Sequence, residues 1–188
     1  MDYLIVYAHP NPASFNAAIK NTVEETIKQK GKTFETVDLY KINFDPVLKP
    51  ADFEAIMSGN VLDDVKQQQE LITKAETLVF VYPIWWYSMP AILKGYIDRV
   101  FSYGFAYKEE GNEIKPLLTD KKVIIINTLG EPKELFEQTG MAESLRKTIG
   151  GIFEFCGMSV IHHKLFYAVP YVSDEERKSM LEEVKTLF

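Results

Sequence analysis

The feature that most constrains this chain is a rhythm. Short, wholly apolar runs rich in β-branched residues alternate with stretches whose apolar residues recur every three or four positions. The runs are "YLIVYA" from Tyr3 to Ala8, "TLVFVY" from Thr77 and "KVIIIN" from Lys122. A strand apolar on both sides suits the interior of a parallel sheet with both faces covered. After the first run, Phe15, Ala18, Ile19, Val23 and Ile27 mark one face of an amphipathic helix. Ser14 stands where such a helix is capped, and Gly31 where it stops.

The rhythm continues to the C-terminus. "TFETVDL" alternates like a strand, and a weaker helical pattern runs from Ala51 to Ala75. "PAILKGYIDRVF" reads as a helix with Pro90 in its first turn, and another helix ends near "FEFCG". "MSVIHHKLFYA" reads as a last strand. In the final helix Ser173 and Glu176 have capping-box spacing, and Met180, Leu181, Val184, Leu187 and Phe188 form the core face. The pattern predicts one α/β domain over residues 1–188, a three-layer, doubly wound, five-stranded parallel sheet. A chain of 188 residues is long enough for one such core.

Composition narrows the function classes. A net charge of −6 with no basic stripe argues against a nucleic-acid partner. The single cysteine, Cys156, rules out an internal disulfide and a cysteine-rich zinc site. Its apolar neighbours predict a buried, inert thiol, and the expected compartment is the reducing cytoplasm. The run from Leu78 to Leu93 holds two prolines and falls short of the ~20 residues of a membrane span, so no insertion is expected. "HH" at His162 and His163 would point to opposite faces of a strand, so no metal site is expected there. "KEEGNEIK" reads as a charged surface turn.

In a doubly wound sheet, ligands bind beyond the carboxyl ends of the strands, where strand order reverses. Three loops therefore matter. "AHPNPASFNAA" leads from a strand into a helix N-terminus, where free N–H groups attract an anion such as phosphate. A plain N-cap would need only Ser14; His9 and Asn16 add further polar groups. "YPIWWYSMP" carries both tryptophans of the chain between Pro83 and Pro90. Such a stiff aromatic rim, with backbone N–H groups between its rings, suits a flat heteroaromatic ligand. "NTLGEP" offers the Thr128 hydroxyl and a glycine, Gly130, that allows close approach or a positive φ. Together the loops describe a pocket for a molecule with a phosphate at one end and a flat ring at the other, as in a flavin nucleotide.

"YPIWWYSMPAILKGYIDRVFSYGFAY", together with "HPNPASFNAA" and "DLYKINFDPVL", strongly resembles the flavodoxin-like NAD(P)H:quinone oxidoreductase family. The resemblance covers most of the chain in the same order. It implies a flavodoxin-like fold, bound FAD or FMN, NAD(P)H as co-substrate, and a homodimer with the active site at the subunit interface. By matching positions, His9, Phe15 and Asn16, beside the Ser14 cap, would hold the phosphate end. Pro83, Ile84, Trp85, Trp86 and Tyr87 would border the isoalloxazine ring, and Thr128, Leu129 and Gly130 its pyrimidine edge. Trp86 would also face the substrate, and Tyr107 would reach into the partner's substrate pocket.

The implied activity is hydride transfer from NAD(P)H through the flavin to a quinone or similar small-molecule acceptor. The resemblance breaks at one place. Many members carry T-T-G-G in the third loop, then a Tyr and a His associated with hydride transfer. Here "NTLGEPKELFEQTGM" has Leu129 for one glycine, Phe136 near the Tyr position, and no His. No side chain is therefore assigned as catalytic acid or base; the flavin carries the chemistry. Two competing readings belong to other classes: a flavodoxin-type electron carrier, and a regulatory flavoprotein of a membrane transporter.

Overall fold

The computed structural model describes all 188 residues. Its central sheet contains β1 (Tyr3–Tyr7), β2 (Phe34–Asp38), β3 (Thr77–Pro83), β6 (Lys122–Thr128) and β7 (Ser159–Phe166). The order is β2-β1-β3-β6-β7 and every neighbouring pair is parallel. Strand order reverses at β1, which has β2 on one side and β3 on the other. That puts the switch point at the carboxyl ends of β1 and β3.

Helices cover both faces. α1 (Phe15–Gln29) and α7 (Asp174–Lys185) pack on one side, burying Ile19, Val23, Ile27 and Val184 against Ile5, Val79, Val81 and Ile124. α3 (Asp63–Lys74), α4 (Ala91–Val100) and α6 (Met141–Phe155) pack on the other, against Leu4, Val6, Phe80 and Ile125. The alternation of β3 and β6 residues between the two clusters is why these strands read as unbroken apolar runs. Ser14 caps α1 by accepting from the Ala17 N–H, and Ser173 and Glu176 close the capping box of α7. Cys156 is buried, and burial pushes its thiol up to about 11, which leaves it inert.

Three details differ from the sequence expectation. The region from Ala51 to Ala75 is two helices, α2 (Pro50–Met57) and α3, broken at Gly59 with φ +76°. Pro90 is the N-cap of α4 rather than a first-turn residue. The charged turn is a complete antiparallel hairpin, β4 (Tyr107–Glu110) and β5 (Glu113–Pro116), outside the main sheet. Its charged residues alternate too weakly with apolar ones to announce strands.

The "DPVL" and "LKGYIDRVF" motifs turn out to brace the scaffold. A Cβ on Gly95 would stand 2.0 Å from the Pro46 carbonyl oxygen, so only glycine lets α4 lie against that segment. Arg99, on the same helix, is buried and donates to Asp52 at 2.9 Å, to Asp64 at 2.6 Å and to the Asp45 carbonyl at 2.8 Å. One guanidinium thus ties α2, α3 and α4 together behind the loop that follows β3.

Candidate active site

The three loops singled out from the sequence touch one another pairwise. Asn16 Nδ2 donates to Thr128 Oγ1 at 2.7 Å, joining the first loop to the third. The Ile84 N–H donates to the Thr128 carbonyl at 2.7 Å, joining the second to the third. The His9 and Trp85 rings stand 5.7 Å apart, joining the first to the second. The convergence follows from topology, because β1, β3 and β6 are neighbours running in one direction.

The second loop is a two-residue hairpin. Trp85 and Ser88 exchange backbone hydrogen bonds of 2.9 and 3.0 Å across it. Both central residues have positive φ, +49° at Trp86 and +58° at Tyr87. This is the type I′ pattern, which ordinarily selects Asn and Gly; bulky aromatics there store strain of ~1–3 kcal/mol each. The geometry turns both side chains outward, leaving Trp86 96% and Tyr87 53% exposed. Neither tryptophan is core. The N–H groups of Trp86 and Tyr87 have no acceptor in the protein. Pro83 and Ile84, both buried, anchor the loop at the end of β3.

The first loop presents donors. His9 Nδ1 accepts from the Asn11 N–H at 3.0 Å, so the ring proton sits on Nε2. Burial lowers the His9 pKa and keeps the ring neutral. The N–H groups of Phe15 and Asn16 open α1 and have no acceptor within the helix. Asn16 is buried, and its Oδ1 has no partner. A buried acceptor without a donor in its own chain can take one from a ligand or a water.

In the third loop Leu129 is buried, and its N–H is taken by the Phe166 carbonyl at 2.9 Å. Gly130 keeps an N–H without acceptor. Its φ is not positive, so conformation does not require glycine. Nor does space within the protein: a Cβ there would meet only Pro170 Cγ, at an ordinary contact distance of 3.9 Å, so that side of Gly130 is open.

Between the second and third loops lies a cleft of about 240 Å³ lined by Ile84, Trp86, Tyr87, Leu129, Gly130, Glu131 and Phe136. Phe136 lies nearly parallel to Tyr87, 6.1 Å away. The residue standing near the family's Tyr is therefore a wall of the cleft. Sequence reasoning did not single out Glu131, although it lies in "NTLGEP", or give Phe136 this role. It also missed a buried link below the third loop. Asn127 donates to the Tyr82 carbonyl at 3.3 Å, and its Oδ1 faces His163 Nε2 at 2.8 Å. His162, by contrast, is exposed.

Tyr107 is not brought to this cleft. It packs edge-on to Phe155 at 5.2 Å and lines a separate groove of about 490 Å³ between α4 and α6, with Phe101, Ile152 and Cys156.

A doubly wound parallel sheet with a donor-lined aromatic cleft beside its switch point defines a flavodoxin-like protein. The family model described as "Flavodoxin-like fold" matches residues 1–187. An uncharacterized NAD(P)H oxidoreductase of Haemophilus influenzae is 38% identical over 184 residues, covering 97% of this chain and 91% of that protein. The human ribosyldihydronicotinamide dehydrogenase (quinone) is 32% identical over 199 residues, covering 95% of this chain and 86% of that protein. Among solved structures, an NAD(P)H:quinone oxidoreductase from Methanothermobacter marburgensis aligns with a TM-score of 0.89 at 32% identity, covering 99% of this chain and 96% of that one. The chain belongs to the flavodoxin-like NAD(P)H:quinone oxidoreductase family.

Proposed function

We propose that this protein is an NAD(P)H oxidoreductase that uses FAD or FMN to pass two electrons to a quinone or similar small aromatic acceptor. The observation that carries the reading is the set of unpartnered N–H groups around one aromatic cleft, those of Trp86, Tyr87 and Gly130. The residues present fit the group: Asn16 Oδ1 awaits a donor, and the side of Gly130 is open. A bound flavin supplies the redox chemistry, exchanging a hydride equivalent with a reduced nicotinamide and then with the acceptor.

The protein's own part is positioning and electrostatics. The N–H groups of Trp86 and Tyr87 would hold a bound flavin ring by its edge, and the Gly130 N–H would stabilise negative charge on it. The first-turn N–H groups of α1 and the His9 Nε2–H would hold its phosphate. Phe136 has no hydroxyl and relays no proton.

The protein acts as a homodimer in the cytoplasm. Supporting the dimer, Tyr107 lies outside its own chain's cleft, in an apolar groove. Supporting the compartment, the only thiol is free and buried. The test is direct. The purified protein is expected to be yellow, to release FAD or FMN identifiable by mass, and to oxidise NADH or NADPH with a naphthoquinone. A protein that stays colourless after soaking with either nucleotide refutes the reading.

A further inference from the structure

Glu131 is the one charged residue lining the cleft beneath the Trp86–Tyr87 turn; the other lining side chains are apolar or aromatic. Its backbone is held in place, the carbonyl accepting the Ala168 N–H at 3.0 Å, and its side chain is only partly exposed. Among cations on the adjoining helices, Lys94 pairs with Asp98 at 2.5 Å and Lys147 with Glu143 at 2.7 Å, while Arg146 stands beside Tyr167 and does not line the cleft. The segment that follows, α5 (Lys133–Gln138), adds Glu134 and Glu137 against a single lysine, Lys133. A flat acceptor approaching a ring held in this cleft therefore meets apolar side chains and one carboxylate at its border, with no lining cation to receive an anionic substituent. An anion placed there loses hydration and faces a like charge.

We propose that Glu131 sets the charge selectivity of the acceptor, admitting neutral or cationic flat aromatics and turning away sulfonated or carboxylated ones. The proposal rests on the oxidoreductase reading above and adds the class of acceptor to it. Selectivity of this kind comes from a repulsive element rather than from tighter contacts to the favoured molecule.

The experiment compares 1,4-naphthoquinone with its 2-sulfonate on the flavin-loaded protein, with the nicotinamide donor saturating. Intrinsic differences between the two quinones cancel when the ratio of their kcat/KM values is compared between variants. Glu131→Gln is expected to move that ratio toward the sulfonate by about five- to tenfold at low salt, and Glu131→Lys further. The shift should shrink as ionic strength rises. Calorimetric binding of redox-inert naphthalene-2-sulfonate and naphthalene-2-carboxamide should change in the same direction. Glu134→Gln, on the exposed outer part of α5, should leave the ratio where it was. A ratio within about twofold of wild type in both Glu131 variants overturns the proposal, as does an equal shift in Glu134→Gln. Failure of the underlying reading is seen earlier and separately, as a protein that takes up no flavin.

Discussion

At the residue scale, the turn at Trp86 and Tyr87 is the clearest sign that a site has been kept at a local cost. Trp86 is almost wholly exposed and has φ +49°, so it contributes strain without burying its indole. Glycine adopts that conformation freely, whereas alanine does not. Trp86→Gly is therefore expected to exceed Trp86→Ala in stability by about 1 kcal/mol in urea unfolding of the flavin-free protein. Both variants should bind flavin more weakly than wild type. Equal stability of the two would mean that the positive φ carries no strain. The run "WWY" was legible as unusual, and its place after a buried strand located it at the rim. The positive φ was not legible, because no Asn or Gly marks the turn.

At the element scale, the lesson concerns Arg99. In sequence it looks like one more polar position of an amphipathic helix, because a lone arginine gives no hint of its depth. In the fold its side chain is 3% exposed, beside Asp52 at 4%, while Asp64 is 47% exposed. Removing the guanidinium leaves Asp52 buried and unpaired. Arg99→Met should therefore cost about 3–5 kcal/mol of stability. Asp64→Asn should cost about 1 kcal/mol or less, since solvent screens that partner. Denaturant titration separates the two, and equal losses would refute the ranking. The strands β1, β3 and β6 and the helix α1 were legible because their apolar patterns are pure. The hairpin β4–β5, mostly charged and exposed, and the six-residue helix α5 were not.

For the whole molecule, two histidines give stability a common slope against pH. Burial, then the nearby Arg146 charge, lowers the His163 pKa to about 4, and burial also lowers that of His9. The unfolded chain binds a proton at each with a pKa of about 6.5. Above that value both states are neutral and nothing is lost. As pH falls from about 6.5 toward 4, the unfolded state protonates first and stability declines. The share from His163 is up to about 3 kcal/mol across that window. His163→Gln, which can still donate to Asn127 Oδ1, should flatten the decline; an unchanged slope would acquit His163. The convergence of three loops at one sheet edge was legible from strand order alone. The pair of buried Asn127 and half-buried His163 was not, because strand pairing across chain-distant segments brings it together.

One consequence follows from where the indoles stand. Every tryptophan in the chain lies on a single solvent-facing rim, and none lies between the sheet and its helices. Indole emission, excited to the red of the tyrosine band, is thus a local gauge of that rim. Melting of the interior is better followed through the peptide bonds, by circular dichroism, while the emitted light keeps watch on whatever settles beside the ring of His9.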